Sequence, residues 1–255
     1  MIKVIIGMCI CIVMNNCSSR MNNSSLSDSY LRNTKISNAT IAVYPVDAMD
    51  FRPGQLGKEN ATPSREFKCR FLSLWNKQIK SYLTEAFESI HWVFLNADSE
   101  AGSLNGLNFS AVKRVSRNLS TANTYNSVRP PEDSRRLSAT DTMKKNLNIL
   151  ANEKNADYAL VFVSAVISGE SSSNMSFDGN INYSSTNTAS IRLLLWECAS
   201  GKLLFSSKVS YTSSMTVLPV PTEPLAVSGA CDEMRKQLKK ILKSRGRRNK
   251  SDDIF

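Results

Sequence analysis

The stretch Asp157-Tyr-Ala-Leu-Val-Phe-Val-Ser-Ala-Val-Ile167 decides the fold of this chain. It is the strongest strand signal in the sequence, a near-continuous apolar run with no Gly or Pro inside it. A long hairpin is expected to follow, with Asp178-Gly179-Asn180 as a three-residue loop at its tip. Pairing around that tip sets Met175 opposite Tyr183, Ile167 opposite Ile191, Ala165 opposite Leu193 and Val163 opposite Leu195. Apolar then meets apolar at both ends of the hairpin. Its middle, Ser168–Asn174 and Ser184–Thr188, is almost wholly polar. A tight turn at Ala199-Ser200-Gly201 leads to a third antiparallel strand, Leu203 to Tyr211. After the prolines at 219, 221 and 224 a last helix runs from about Leu225 to Lys243, with Ala226, Ala230, Met234, Leu238, Ile241 and Leu242 inward.

Upstream, a helix over about 140–155 places Met143, Leu147, Leu150 and Ala151 inward, capped by Thr140 or Asp141. A stronger one follows Thr62-Pro63-Ser64. There Phe67, Phe71, Leu74, Trp75, Ile79, Tyr82, Leu83, Ala86, Phe87 and Ile90 recur at steps of three and four. His91-Trp-Val-Phe-Leu95 reads as a strand, and Thr40-Ile-Ala-Val-Tyr-Pro-Val46 as the first strand of the domain. Residues 47–63, with Pro53-Gly54, Gly57 and Pro63, read as a loop. Residues 98–138 lack a period and read as a surface insertion with a short helix near 108–119. The expected class is α/β: a mixed sheet with helices packed on it, ending in three antiparallel strands and a C-terminal helix. One domain is expected over 39–244, with a basic tail at 245–255.

The N-terminus carries a different signal. Lys3 precedes an apolar run from Val4 to Met14, which breaks at Asn15-Asn16 and reaches Cys17-Ser18-Ser19. The run has eleven residues, and a helix needs about 20 to span a bilayer. A charged start, a short apolar stretch and a polar exit describe a secretory signal over 1–16. The cysteine at its exit resembles the lipid-bearing residue of bacterial lipoproteins, although Met14 and Asn16 stand where that pattern has a small residue at each place. Lipidation at Cys17, palmitate included, is the one site this reading assigns. Residues 17–38, rich in Ser and Asn, read as a flexible tether, and Ser18 after the cysteine leans towards the outer membrane by analogy with that class.

Chemistry is sparse elsewhere. The single histidine, His91, has no partner at triad spacing, and no P-loop, HExxH, G-x-S-x-G or G-x-G-x-x-G occurs. Ser168-Gly-Glu-Ser171 is polar hairpin. Asp47 and Asp50 follow the first strand, where α/β sites often lie, but two acids in a loop usually face solvent. No catalytic, metal or cofactor residues are assigned. Once Cys17 is lipidated, Cys69, Cys198 and Cys231 remain, an odd number with no CxxC spacing. The net charge is +10, and from Arg235 to Lys250 nine residues are Lys or Arg and none is acidic. Without interleaved aromatics that run makes no base-stacking platform, so anionic lipid or polymer is a better counter-charge than nucleic acid.

The element order, with Ile41-Ala-Val-Tyr-Pro-Val46, Asn155-Ala-Asp-Tyr-Ala-Leu-Val161 and Ser200-Gly-Lys-Leu-Leu204, resembles a periplasmic class. That class includes the amino-terminal domain of TolB, the curli-secretion lipoprotein CsgG and LpoB-type activators of penicillin-binding proteins. The usual glycine after the second motif is displaced, and 98–138 looks like an addition. The resemblance implies a non-catalytic, lipid-anchored envelope protein at the outer membrane, facing the periplasm. It would bind a protein or anionic polymer in assembly or transport, with self-association left open. Two alternatives are a secretion-pore component and a periplasmic hydrolase.

Overall fold

The computed structural model describes residues 18–26, 36, 38–53, 65–96, 107–122, 141–175, 181–216 and 223–243. The expected signal at 1–16, Cys17, the expected hairpin tip at 178–180 and the tail at 245–255 lie outside the described residues. Within them the fold is α/β as expected, a mixed sheet between two layers of helices.

The strands are β1 (Ser18–Leu26), β2 (Thr40–Tyr44), β3 (Met49–Pro53), β4 (His91–Phe94), β5 (Tyr158–Met175), β6 (Ile181–Glu197) and β7 (Lys202–Thr216). The helices are α1 (Arg65–Ala86), α2 (Phe109–Ala122), α3 (Asp141–Lys154) and α4 (Glu223–Lys243). The sheet order is β1-β7-β6-β5-β2-β4, with β3 also on β5. β2 is parallel to β4 and β5, β3 is parallel to β5, and the remaining pairs are antiparallel.

The apolar run at 157–167 becomes the central strand because both its faces are covered. Tyr158, Leu160 and Phe162 face the α1 and α4 layer, while Ala159, Val161 and Val163 face the α2 and α3 layer. The register against β6 then slips between Val163 and Val166. This β-bulge inverts the parity, so that Ala165 and Ile167 again face α1 and α4. Phe71, Trp75, Ile79 and Leu83 of α1 are buried at every fourth position. Each contributes roughly 1.5–3 kcal/mol before conformational entropy is subtracted. Met143, Leu147 and Leu150 do the same for α3 on the other face. The α3 end closes with Asn155 at φ 50°, a left-handed position that Asn tolerates, and with Ala156 N–H donating to Leu150 O at 3.1 Å. Gly201, at φ 66°, makes the turn between β6 and β7.

Three expectations change. The hairpin pairs Met175 with Ile181 and Ile167 with Ala189, two residues from the expected register. Below the bulge Val163 faces Arg192 and Leu160 faces Leu195. A slip of two preserves which face each side chain takes, so alternation could not detect it, and the bulge added one more. Met49–Pro53, read as loop, is a strand because β5 continues past β2 and presents Ala165–Gly169 to it. Ser18–Leu26, read as part of the tether, is a strand along the open edge of β7, from Ser18 opposite Ser213 to Leu26 opposite Phe205. It has no apolar alternation, so its pairing comes from the backbone of the neighbouring strand.

Candidate functional site

The expected acids, Asp47 and Asp50, do lie just beyond β2, and the structure brings one of them to a partner that sequence reading missed. Between β2 and β3 the chain leaves the ladder over Pro45–Ala48. Pro45 has no N–H to give, and the backbone groups around it need partners from outside the sheet. Two helices supply them. From α1, Asn76 accepts from Val46 N–H at 2.8 Å and donates back to Val46 O at 2.9 Å. From α2, Lys113 donates its ammonium to Pro45 O and to Phe162 O, the latter at 2.7 Å. Asp47 Oδ1 stands 3.6 Å from the same nitrogen.

Lys113 is 3% exposed while the Asp47 side chain is 42% exposed. Burial lowers the Lys113 pKa to about 8, with Arg117 adding to the shift and Asp47 opposing it. An amine with that pKa has the electronics of a nucleophile, but its enclosure denies access to a substrate. The geometry is that of a clamp, holding the strand break from both faces of the sheet.

The insertion helix is therefore built in. Asn108 Oδ1 accepts from Ala111 N–H at 2.8 Å, an N-cap. Asn108 N–H donates to Asn146 Oδ1, and Asn146 of α3, itself buried, donates to Thr142 O at 2.8 Å. These contacts set α2 so that Lys113 enters the break. In the same layer the Tyr44 ring meets Phe109 edge-on at 5.2 Å, and its hydroxyl is buried with no hydrogen-bond partner among the described residues. Burial pushes that phenol far above its ordinary range. Tyr44→Phe is expected to leave stability unchanged or raise it by up to about 1–2 kcal/mol, since it removes an unsatisfied polar atom. Chemical denaturation checks this, and a clear loss would mean that the hydroxyl has a partner.

Other sequence candidates do not converge. Asp50 is exposed on β3, and His91 is exposed at the start of β4, paired in the ladder with Thr40. Cys69 is an exposed free thiol. Cys198 and Cys231 are free and buried, on opposite sides of the sheet. Burial pushes the Cys198 thiol up to about 12, so it is inert at neutral pH. Among the described residues, no group of three or more His, Cys, Asp or Glu could hold a metal ion. No described helix is long and apolar enough to cross a membrane.

No protein-family model matches this chain, and neither does any curated protein. Solved structures align along most of its length at low similarity. The PelC dodecamer of Paraburkholderia phytofirmans is 9% identical, covering 90% of this chain and 100% of that one, with a TM-score of 0.38. A neuraminyllactose-binding hemagglutinin homolog of Helicobacter pylori is 10% identical, covering 84% and 89%, also at 0.38. A lipoprotein of Neisseria meningitidis is 15% identical, covering 78% and 99%, at 0.28. Likenesses of this size say nothing about function.

Proposed function

We propose that the protein is a lipid-anchored component of a bacterial cell envelope, held at the outer membrane and facing the periplasm. It works by binding a protein or polymer partner rather than by catalysis. The observation that carries this reading is Lys3, the short apolar run Val4–Met14 and Cys17 at its polar exit. The finer kinship with the TolB, CsgG and LpoB class belongs to the same proposal, on the motifs at 41–46, 155–161 and 200–204. The most unusual lysine of the described fold is spent on a strand break, which agrees with a binding role.

Metabolic labelling with palmitate tests the anchor. The wild-type chain is expected to take label and to partition with membranes, and Cys17→Ser to lose both. Unlabelled, freely soluble wild-type protein would sink the proposal. A pore reading has one observation in its favour, the length of β5 and β6, 18 and 17 residues. A lipid-spanning strand needs an apolar residue at every second place over about 9–11 residues. Ser168-Gly-Glu-Ser-Ser-Ser-Asn174 has none, so conductance in planar bilayers is expected to be absent.

A further inference from the structure

The apolar layer between the sheet and the helices α2 and α3 stops partway along the long strands. On β5 and β6 its last members are Val163 and Leu194. Beyond them the other face of the same strands stays covered, with Ala189, Ile191 and Val209 buried in the α1 and α4 layer. The α2 and α3 face does not. It opens with Arg192 directly opposite Lys208, then runs on with Ser190 opposite Ser210 and Thr188 opposite Thr212. Lys208 is exposed, and the other five are half-exposed. The Thr188 and Thr212 hydroxyls stand 2.8 Å apart, which fixes these pairs on one side of the sheet.

Arg192 and Lys208 put two positive charges where a sheet tolerates them badly. Residues directly opposite in an antiparallel ladder hold their Cβ atoms about 4.5–5.5 Å apart, and like charges there are destabilising. On its other side Arg192 faces Val163, and burial lowers its pKa. Lys208 makes no ion pair with any described acid. Asp50 shares this face through its pairing with Val166, which pairs with Ser190. That places it two strand spacings, roughly 10 Å, from Ser190, and a third strand away from Lys208. A lysine on a strand often serves to block pairing at a sheet edge. Lys208 has no such duty, because β1 already lies along β7.

Two cations and two hydroxyls thus form the corners of a square, with the next hydroxyl row about 7 Å further along the strands. A guanidinium carries five N–H donors, an ammonium three and each hydroxyl one. A guanidinium fork can therefore hold a neighbour in the sheet and an oxyanion together. So many donors suit an anion with more than two acceptor oxygens, phosphate before carboxylate. Arg, Lys, Ser and Thr are also the side chains that hold the phosphates of a polymer backbone. These rows contain no aromatic ring, so nothing in them stacks a base. Repetition along the strands favours a chain of anions over a single one.

Deepening the binding role proposed above, we propose that the Arg192–Lys208 pair and the hydroxyl rows beyond it seat a polymer that carries phosphate groups. The test measures binding of fluorescent polyphosphate to the purified full-length chain, with the thermal unfolding midpoint as a second readout. Lys208→Glu is expected to weaken binding about tenfold or more. It is also expected to raise the midpoint of the unliganded protein, because a repulsive pair becomes an attractive one. Lys77→Glu makes the same charge change at an exposed position of α1, in the layer on the opposite side of the sheet. It is expected to bind within about twofold of wild type. Equal weakening by the two variants overturns the proposal, since net charge alone would then explain capture. Lys208→Glu that keeps wild-type binding, or that lowers the midpoint, overturns it as well. Binding to phosphatidylglycerol vesicles but not to polyphosphate, lost in Lys208→Glu, overturns the polymer and gives the pair to a membrane surface. A wild-type chain that binds neither probe overturns the seat, and leaves the anchor at Cys17 and a protein partner standing.

Discussion

Lys113→Met is expected to destabilise the fold by about 2–4 kcal/mol, read from urea unfolding. Two effects compete. Removing the lysine relieves the cost of burying an ammonium, and Met fills much of the same volume. It also leaves Pro45 O and Phe162 O without the donor they share in the structure. A buried acceptor stripped of its partner costs about 1–3 kcal/mol. The orphaned acceptors win because the strand break cannot close onto β5 to satisfy them. Asp47→Ala is the contrast: its carboxylate is 42% exposed, so its loss should cost under about 1 kcal/mol. The pH dependence has a definite sign. With the folded amine near 8 and its ordinary value at 10.5, the unfolded chain holds the extra proton between those values. Wild-type stability should gain a rising contribution with pH across that window, and Lys113→Met should lack it. A variant as stable as wild type with an identical pH profile would remove Lys113 from the clamp.

Gly229→Ala should destabilise by about 2 kcal/mol or more, although helix propensity alone argues the other way. Glycine inside a helix normally costs about 1 kcal/mol relative to alanine. In α4, however, a Cβ at this position would lie 2.2–2.5 Å from the Tyr211 ring of β7. The atoms it meets include Cγ, the root of the ring, so the side chain cannot swing clear. Helix and strand must part, and overpacking of this kind costs typically 1–3 kcal/mol, sometimes more. The diagnostic is a change of sign. In a Tyr211→Ala background the same substitution should become neutral or stabilising by up to about 1 kcal/mol, giving a strong coupling in a double-mutant cycle. Equal effects in both backgrounds would mean that the helix does not rest on Tyr211.

Much of this molecule was legible before folding. The four-residue beat from Phe71 to Leu83 and the apolar run at 158–167 are local statements, because one side of a helix or both sides of a strand must be dry. The helix expected near 108–119 exists as Phe109–Ala122. What it does was not legible, because Lys113 on a Ser- and Arg-rich helix reads as a solvated charge. The one clue was on another segment: Pro45 at the end of β2, a residue that must interrupt a ladder. Asn76, likewise, is one polar residue among several on α1 until Val46 arrives beside it.

By itself the sequence determined the α/β class, the faces of the long helices and the order of the last three strands. Those follow from periodicity and composition, which need no partner. Tertiary structure alone decided the hairpin register, the strands at Ser18–Leu26 and Met49–Pro53, and the burial of Lys113. Each depends on a backbone edge or a carbonyl contributed by residues distant in the chain. Unpaired backbone groups bind whatever polar partner the packing brings, and nothing in the local residue pattern names that partner.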